Sequence, residues 1–194
     1  MARFPELARF MQEHSLRRGH FILASGKTST YYIDGKLTAM HPQGAVLIAK
    51  AILEEIKTLP VDAIGGMDMG ATPIVGAVAA VSAISGRPYP VFVVRKDVKK
   101  HGTMKAIEGP IPQSPSKVVI IDDVVTTGDS ILKAIDEVQK AGHEVLLAIS
   151  VLDRGAGATE ALARRNIRYQ PLVTLLDIGV SDEPNRRGNE VGVG

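Results

Sequence analysis

Four apolar runs alternate with helical stretches from residue 62 onward, and this alternation limits the possible folds more than any other feature of the chain. The runs are rich in β-branched residues and lack polar alternation: DAIGG, PVFVV, KVVII and EVLLAISVL. Strands of this kind are buried on both faces, which is typical of a parallel sheet covered by helices. Helices are predicted over 71–84, 130–141 and 158–165. The pattern therefore predicts an α/β fold with an open, mainly parallel twisted sheet and helices on both faces.

The length of 194 residues predicts one domain. Before the sheet, the pattern predicts a helix over Pro5 to His14, two β-rich runs between His20 and Asp34, and a helix over 42–59. We expect the β-rich runs to form a hairpin, as part of a small N-terminal hood or flap over one sheet edge. The hood is expected to comprise about 1–40 and the C-terminal end, and the core about 41–176. The polar tail after Asp177 is expected to fray or to contact a partner.

Composition excludes several classes of protein. The chain has no cysteine, which excludes a disulfide scaffold, a thiolate zinc site and a cysteine nucleophile, and favours a cytoplasmic location. A net charge of +2 is too small for a general nucleic-acid binder. Charged residues within 1–20 interrupt any secretory signal. The uncharged stretch from Met69 to Gly86 is interpreted as a buried helix and not as a membrane span, because small and polar residues dilute it.

The most informative segment is KVVIIDDVVTTGDSI, residues 117–131. It reads as a buried strand, two acids at the carboxyl end of that strand, a turn of small residues and the start of a helix. Ligands of open parallel sheets bind outside the carboxyl ends of the strands, where Asp122 and Asp123 are expected. Backbone N–H groups and hydroxyls of the turn at 126–130 can surround a phosphate, and the helix dipole favours the anion. The segment therefore predicts an anion site beside two carboxylates.

Two carboxylates beside a phosphate are unfavourable unless they accept hydrogen bonds from sugar hydroxyls or face a divalent cation. A ribose 5-phosphate with Mg²⁺ meets both requirements. The alternative is a helix-capping turn in which Asp129 or Ser130 is the N-cap. Capping explains one polar residue and not the whole run, so we favour the sugar phosphate site.

This segment resembles the phosphoribosyl pyrophosphate (PRPP) signature of the type I phosphoribosyltransferases. Three further stretches are similar to the orotate phosphoribosyltransferases: FILASGKTSTYYID (21–34), RKDVKKHGTMKAIEG (95–109) and LDR (152–154). The resemblance extends over most of residues 20–154. It implies the type I fold and transfer of ribose 5-phosphate from PRPP to orotate, with Mg²⁺ as cofactor. The products would be orotidine 5′-monophosphate and pyrophosphate, in pyrimidine biosynthesis.

A basic loop between Arg95 and Lys105 carries a net charge of +4 and has no amphipathic stripe, so we expect a mobile lid. Negative charge builds on the departing pyrophosphate in the implied reaction, and cations are needed there. The resemblance implies that Arg95, Lys96, Lys99 and His101 hold pyrophosphate, some of them in a neighbouring subunit's site. It thus implies a homodimer with shared active sites. The alternative is a solvated run of charge.

The resemblance also assigns the other site residues. Lys99, His101, Asp122 and Asp123 are expected to be catalytic, with Mg²⁺ held through PRPP and the two acids as candidate ligands. Thr126 and Arg154 are expected to bind orotate, since a planar guanidinium suits a carboxylate; the alternative for Arg154 is a salt bridge with Asp153 or a neighbour. Besides the loop cations, the residues expected to bind PRPP are Asp122, Asp123, Val124, Val125, Thr126, Thr127, Gly128, Asp129 and Ser130.

Other residues near the expected site carry weaker signals. The turn GGMDMGATP (65–73) would let the backbone approach pyrophosphate, although an ordinary strand-to-helix turn explains it equally well. Ala24 and Ala71 stand where many relatives carry lysines, which leaves fewer cations on the pyrophosphate. Tyr31 and Tyr32 are expected either to wall the base pocket or to pack inside the hairpin. Histidines without ligand spacing are expected at the surface or in the core: His14, His20, His41 and His143.

Two further motifs are incomplete. Gly26-Lys27-Thr28 ends like a P-loop, but Phe21 replaces its first glycine. Gly155 and Gly157 follow a strand as in a dinucleotide-binding motif, but Glu160 stands at the third glycine position.

Two other functions remain open from the residues alone. One is a phosphoribosyltransferase for a purine or another base, against which Arg154 and the loop with His101 argue. The other is a regulator that binds PRPP and nucleic acid without catalysis. The first 19 residues are too short for a DNA-binding domain, which argues against the regulator.

Overall fold

The apolar runs form the central strands of one six-stranded sheet in a computed structural model that describes residues 2–22, 26, 28–96 and 106–181. The strands are β1 (Leu16–Ile22), β2 (Thr28–Ile33), β3 (Ala63–Met67), β4 (Val91–Val94), β5 (Ile107–Glu108), β6 (Lys117–Val125), β7 (Glu144–Asp153) and β8 (Tyr169–Thr174). The large sheet has the order β5-β4-β3-β6-β7-β8, and only β5 runs antiparallel to its neighbour. The predicted α/β fold with a mainly parallel sheet is confirmed.

Helices cover both faces of this sheet, as predicted. They are α1 (Pro5–His14), α2 (Lys36–Ala39), α3 (Pro42–Ile56), α4 (Thr72–Ile84), α5 (Asp129–Lys140) and α6 (Ala158–Ala163), and a short 3-10 helix follows at Leu176–Ile178. Alternate residues of β6 face the two layers. Val119 and Ile121 join the core formed with α1, α3 and α4, whereas Val118 and Ile120 join the core formed with α5.

Helix α5 forms where it was predicted and is amphipathic. Ile131, Ile135 and Val138 are fully buried, whereas Lys133 on the opposite side is exposed. Burial of each of these apolar side chains contributes about 1.5–3 kcal/mol, which holds the start of the helix in place at the end of β6. Gly142 follows the helix with a φ of +86°, a conformation that favours a residue without a side chain. The predicted end of the helix is confirmed.

The N-terminal residues form α1, the hairpin of β1 and β2, and α2. Strand β1 begins at Leu16, which pairs with Ile33, so it starts earlier than the predicted boundary at His20. The residues between are arginine and glycine, which give no strand pattern. The Arg18 Nη2 donates to the Gly179 carbonyl over 2.7 Å. The hairpin is therefore tied to the C-terminal part of the described chain.

Two edge strands lie where no strand was predicted. β5 interrupts what was expected to be one long polar loop, and β8 follows α6. β8 contains Pro171, which a sheet accepts at an edge because proline has no N–H to donate. Each of these strands lies at an edge of the sheet and pairs with one neighbouring strand. An edge strand is less buried than a central one, so its apolar pattern in the sequence is weaker.

The uncharged stretch from Met69 to Gly86 forms α4, with Ala71 as N-cap and Pro73 in the first turn. This helix packs against α3 and β3 through one side and exposes the other, so the stretch is a helix as predicted but is buried on one side only. Within the described ranges, no helix has the length and apolar character needed to cross a membrane.

Candidate active site

A phosphate-sized recess lies where β6 gives way to α5. Gly128 is the N-cap of α5, with a φ of +90°, and no side chain in the described part of the protein caps this end. The first N–H groups of the helix therefore lack partners within the helix and are available to an anion. The alternative of a capping turn with Asp129 or Ser130 as N-cap is wrong, because glycine holds that position and Asp129 already belongs to the helix.

The recess has a volume of about 250 Å³. Pockets that enclose a whole small molecule usually measure about 300–1,000 Å³, so this one suits part of a ligand, such as a phosphate group. The Thr127 hydroxyl donates to Asp129 Oδ2 over 2.9 Å, which holds the turn that forms its rim. The structure brings most of the predicted signature residues together around it: Asp122, Val124, Val125, Thr126, Thr127, Gly128, Asp129 and Ser130, with Ile131.

The two acids of the signature take different positions. Asp122 lines the recess and is 4 % exposed, whereas Asp123 is half-buried and is not among the lining residues. Asp122 Oδ1 accepts the N–H of Asp123 at 3.0 Å, and Asp123 Oδ1 accepts the N–H of Val124 at 2.8 Å. The expectation that both acids lie beside a phosphate stays a prediction.

Both carboxylates nevertheless approach the loop after β3. A Cβ added to Gly70 would lie 2.7 Å from Asp123 Oδ1 and 3.1 Å from Asp122 Oδ1. Burial raises the pKa of Asp122 to about 7, and the charge of Asp123 contributes to this rise. Hydrogen bonds from the Asp123 N–H and the Ser130 side chain partly oppose it. The raised pKa shows that the negative charge of the two carboxylates is poorly compensated. Sugar hydroxyls would donate hydrogen bonds to these carboxylates, and a divalent cation would supply positive charge.

The Gly-rich turn is shorter than predicted. Gly65 and Gly66 belong to β3, and a Cβ on them would lie 2.2 Å from the Phe92 ring and 2.0 Å from the Ile121 carbonyl oxygen. The absence of a side chain at these glycines therefore leaves room for Phe92 and for the backbone of β6. Ala71 is completely buried, so a lysine here could not reach a ligand without moving the loop.

Arg154 and Tyr31 lie next to each other. The Arg154 N–H donates to the Val125 carbonyl over 2.9 Å, so Arg154 follows β7 next to the turn that carries Thr126. The Arg154 guanidinium carbon lies 5.6 Å from the centre of the Tyr31 ring, within reach of a cation–π interaction. Tyr32 points elsewhere and packs on Phe21, with 5.7 Å between ring centres. Of the two tyrosines, Tyr31 is the one that lies beside Arg154.

The structure describes only the two ends of the basic loop, up to Lys96 and from Ala106 onward. The Arg95 N–H donates to the Ala106 carbonyl over 2.8 Å, and the Arg95 guanidinium forms a 2.6 Å ion pair with Glu108. Lys96 is exposed. Lys99 and His101 lie outside the described residues, as does Ala24.

Lys36 is a further candidate site residue, which the sequence analysis missed. Its Nζ lies 2.7 Å from Asp34 Oδ1, and the bond to Asp34 and the charge of Asp123 raise the pKa of this lysine. A Cβ added to the preceding Gly35 would lie 3.4 Å from Asp123 Oδ2. A lysine directly after the hairpin was the only sequence signal, and the pattern did not show that α2 lies against the end of β6.

Comparison with known proteins agrees with this geometry. Residues 39–165 match the model of the phosphoribosyl transferase domain family. An orotate phosphoribosyltransferase of Nostoc sp. is 43% identical over 164 residues, which cover 84% of this chain and 78% of the relative. The chain belongs to the orotate phosphoribosyltransferase family. The predicted resemblance is thereby confirmed.

Solved orotate phosphoribosyltransferases have the same architecture. The enzyme of Mycobacterium tuberculosis in complex with Fe(III) dicitrate superposes with a TM-score of 0.82 at 34% identity, over 91% of this chain and 99% of that chain. Its complex with PRPP superposes with a TM-score of 0.77 at 32% identity, over the same shares of the two chains. These solved structures therefore match nearly the whole of the described fold.

Proposed function

We propose that this chain transfers ribose 5-phosphate from PRPP to orotate and forms orotidine 5′-monophosphate and pyrophosphate, in pyrimidine biosynthesis. The observation that carries the proposal is the 2.9 Å hydrogen bond from the Arg154 N–H to the Val125 carbonyl. It joins an arginine suited to a carboxylate to the turn suited to a phosphate. A base with a carboxylate and a ribose phosphate would therefore lie side by side.

In the proposed reaction, N1 of orotate forms a bond to the anomeric carbon while the bond from that carbon to the pyrophosphate oxygen breaks. The leaving pyrophosphate takes the electron pair, the sugar becomes oxocarbenium-like, and the proton on N1 of orotate is released to the pyrophosphate or to water. The N–H groups of residues 126–130 hold the 5′-phosphate in place. Arg95, Lys96, Lys99 and His101 supply positive charge where it develops on the leaving group, which is the largest catalytic contribution expected here.

The residues around the acid pair fit Mg²⁺. This cation prefers oxygen ligands and commonly binds through one or two carboxylates plus substrate oxygens. The described residues contain no cluster of three or more side chains that could hold a metal alone, so substrate oxygens would complete the coordination. Asp122 and Asp123 are the candidate ligands. When bound, the cation neutralises charge on the pyrophosphate, and these acids orient the ribose hydroxyls.

A homodimer with shared active sites belongs to the same proposal. Helix α4 carries no charged residue, yet Gly76, Ala80, Ala83 and Ile84 are exposed along one of its sides. Ile84 is 88 % exposed, and Met69 before the helix is 70 % exposed. A second copy would cover this surface. We also propose a cytoplasmic location, which rests on the absence of cysteine from the sequence.

A spectrophotometric assay tests the proposed reaction. Orotate absorbance should fall only when the protein, PRPP and Mg²⁺ are all present, and orotidine 5′-monophosphate should appear. Uracil, adenine, guanine and hypoxanthine serve as competing bases in parallel reactions. Turnover of one of these bases and not of orotate would instead indicate a different phosphoribosyltransferase, and PRPP binding without turnover of any base would indicate a regulator.

A further inference from the structure

An ion pair links the two strands that flank the basic loop. Arg95 directly follows β4, and Glu108 is the last residue of β5. Arg95 Nη2 lies 2.6 Å from Glu108 Oε1, and the two side chains are 30 % and 40 % exposed. Ion pairs that solvent reaches contribute only about 0–1 kcal/mol to stability. Stability is therefore a weak reason for a glutamate at this position.

The pairing of β4 with β5 determines which carboxylate Arg95 meets. Val93 lies opposite Glu108 in the antiparallel register. Arg95 lies two residues further along the chain, and its N–H extends the ladder by donating to the Ala106 carbonyl over 2.8 Å. Arg95 and Glu108 are thus diagonal neighbours on one face of the pair, a separation that long side chains bridge. The sheet therefore fixes the backbone on both sides of the ion pair.

The loop after β3 lies beside Arg95. The Asp68 N–H donates to the Val94 carbonyl over 2.8 Å, directly before Arg95. Gly70 of the same loop approaches the carboxylates of both signature acids. Arg95 therefore follows a strand at the same end of the parallel sheet as the acid pair, where ligands of such sheets bind. In the proposed reaction, the pyrophosphate attached to the ribose would lie at this end.

We infer that Glu108 is a positioning residue for pyrophosphate: it holds the Arg95 guanidinium in the direction in which the leaving group is bound. This inference rests on the proposed function. A guanidinium is a planar fork with several N–H donors, so the contact at Nη2 does not exhaust them. A long side chain that is held before the substrate binds also loses less rotamer freedom on binding.

Glu108 has two opposing effects on Arg95. Its negative charge offsets part of the positive charge, whereas its hydrogen bond fixes the direction of the guanidinium. Solvent and salt screen the charge at this degree of exposure, but they do not change the direction that the bond imposes. We therefore expect the loss of Glu108 to weaken the binding of pyrophosphate.

A double-mutant cycle tests the inference. Arg95→Ala should lower kcat/KM for PRPP by about 10²-fold, the scale of one lost charge at the leaving group. Glu108→Ala should lower it by about tenfold and weaken inhibition by pyrophosphate similarly, while the KM for orotate changes less than about twofold. In the Arg95→Ala background, Glu108→Ala should change kcat/KM for PRPP by less than about twofold, because its effect passes through Arg95.

Glu108→Gln separates direction from charge. Its amide oxygen still accepts from Arg95, with about half the strength of a carboxylate, so kcat/KM for PRPP should fall only about threefold. Glu54→Ala is the matched control. Glu54 forms another exposed ion pair, with Lys57 at the end of α3, and its loss should leave all the kinetic constants unchanged.

Four outcomes would overturn the inference: additive losses in the double variant, equal losses in Glu108→Ala and Glu108→Gln, unchanged or stronger pyrophosphate inhibition in Glu108→Ala, or an Arg95→Ala variant with unchanged constants. If Glu108→Ala does not fold, as judged by its thermal transition, Glu108→Gln takes its place in the cycle, and additive losses there have the same meaning. Absence of orotate turnover in the unmodified protein would instead refute the proposed function itself.

Discussion

Gly70, in the loop after β3, packs directly against the Asp123 carboxylate at the end of β6. A Cβ at position 70 would lie 2.7 Å from the Asp123 carboxylate oxygen. The carboxylate that is expected to orient the ribose is therefore held from one side by a residue without a side chain.

The variant Gly70→Ala should displace the Asp123 carboxylate. Misplacement of a positioning group by a fraction of an ångström is costly, so we expect the affinity for PRPP to fall by about tenfold or more. Isothermal titration calorimetry with PRPP and Mg²⁺ measures this, and the thermal transition should stay nearly unchanged. Unaltered PRPP affinity would show that Asp123 does not contact the ligand.

Gly128→Ala should damage the phosphate recess, and Gly142→Ala is its matched control. Both glycines have positive φ values at opposite ends of α5. A side chain in that conformation costs about 1–2 kcal/mol, so both variants should lose stability in urea unfolding. Only Gly128→Ala should also weaken PRPP binding, because Gly142 is remote from the recess. Equal PRPP affinities in the two variants would contradict the phosphate assignment.

The raised pKa of Asp122 predicts a stability that depends on pH. The carboxyl titrates at about 7 in the folded, ligand-free protein, against 3.8 ordinarily. Between these values the unfolded chain releases a proton that the folded chain keeps. The free energy of unfolding should therefore fall as the pH rises through this window, by about 1.4 kcal/mol for each unit of pKa difference.

Urea unfolding of the protein and of Asp122→Asn at about pH 5 and about pH 7.5 measures this effect. Relative to the unmodified protein, Asp122→Asn should gain stability at the higher pH, because an amide does not ionise. A stability difference that is the same at both pH values would rule out the raised pKa.

Ala80→Glu should separate the proposed dimer. The substitution introduces a charge into the uncharged exposed side of α4, where a partner would bury it at a cost of several kcal/mol. Sedimentation velocity should show a monomer with little activity. Gln139→Glu, which adds the same charge at an exposed position of α5, should remain dimeric and active. A monomer in the unmodified protein would refute the dimer.

Hybrid dimers test whether the sites are shared. Lys99→Ala alone should lower turnover by about 10²-fold, the scale for one preorganised charge at the leaving group. Asp123→Ala alone should abolish PRPP binding. If Lys99 acts in the partner's site, a reassembled mixture of the two inactive variants contains one intact site in each hybrid, and it should recover about a quarter of full activity. Recovery near zero would place Lys99 in the site of its own subunit.

Local patterns predicted the elements that the chain defines by itself. Helix α1 has the predicted bounds, Pro5 to His14, because proline at its start and a regular apolar spacing mark it. The passage from β6 to α5 was likewise visible, since a fully buried strand, a turn of small residues and an amphipathic helix follow one another. The predicted division into hood and core stays a prediction.

Relationships between distant segments could not be read from the sequence. Nothing in the local pattern brings Lys36 close to Asp123, or the Tyr169 hydroxyl to Ser150. These contacts depend on strand order, and the edge strand β8 was itself missed.

The hydrogen bond between Arg95 and Ala106 joins the two ends of the intervening segment directly at the sheet. Residues can therefore be added or removed between these ends without disturbing the pairing of β4 with β5. A segment of different length or charge could therefore be grafted between the same two anchor points, Arg95 and Ala106. If the proposed function holds, such a graft would change the charges near the leaving group while the pairing of β4 with β5 is kept.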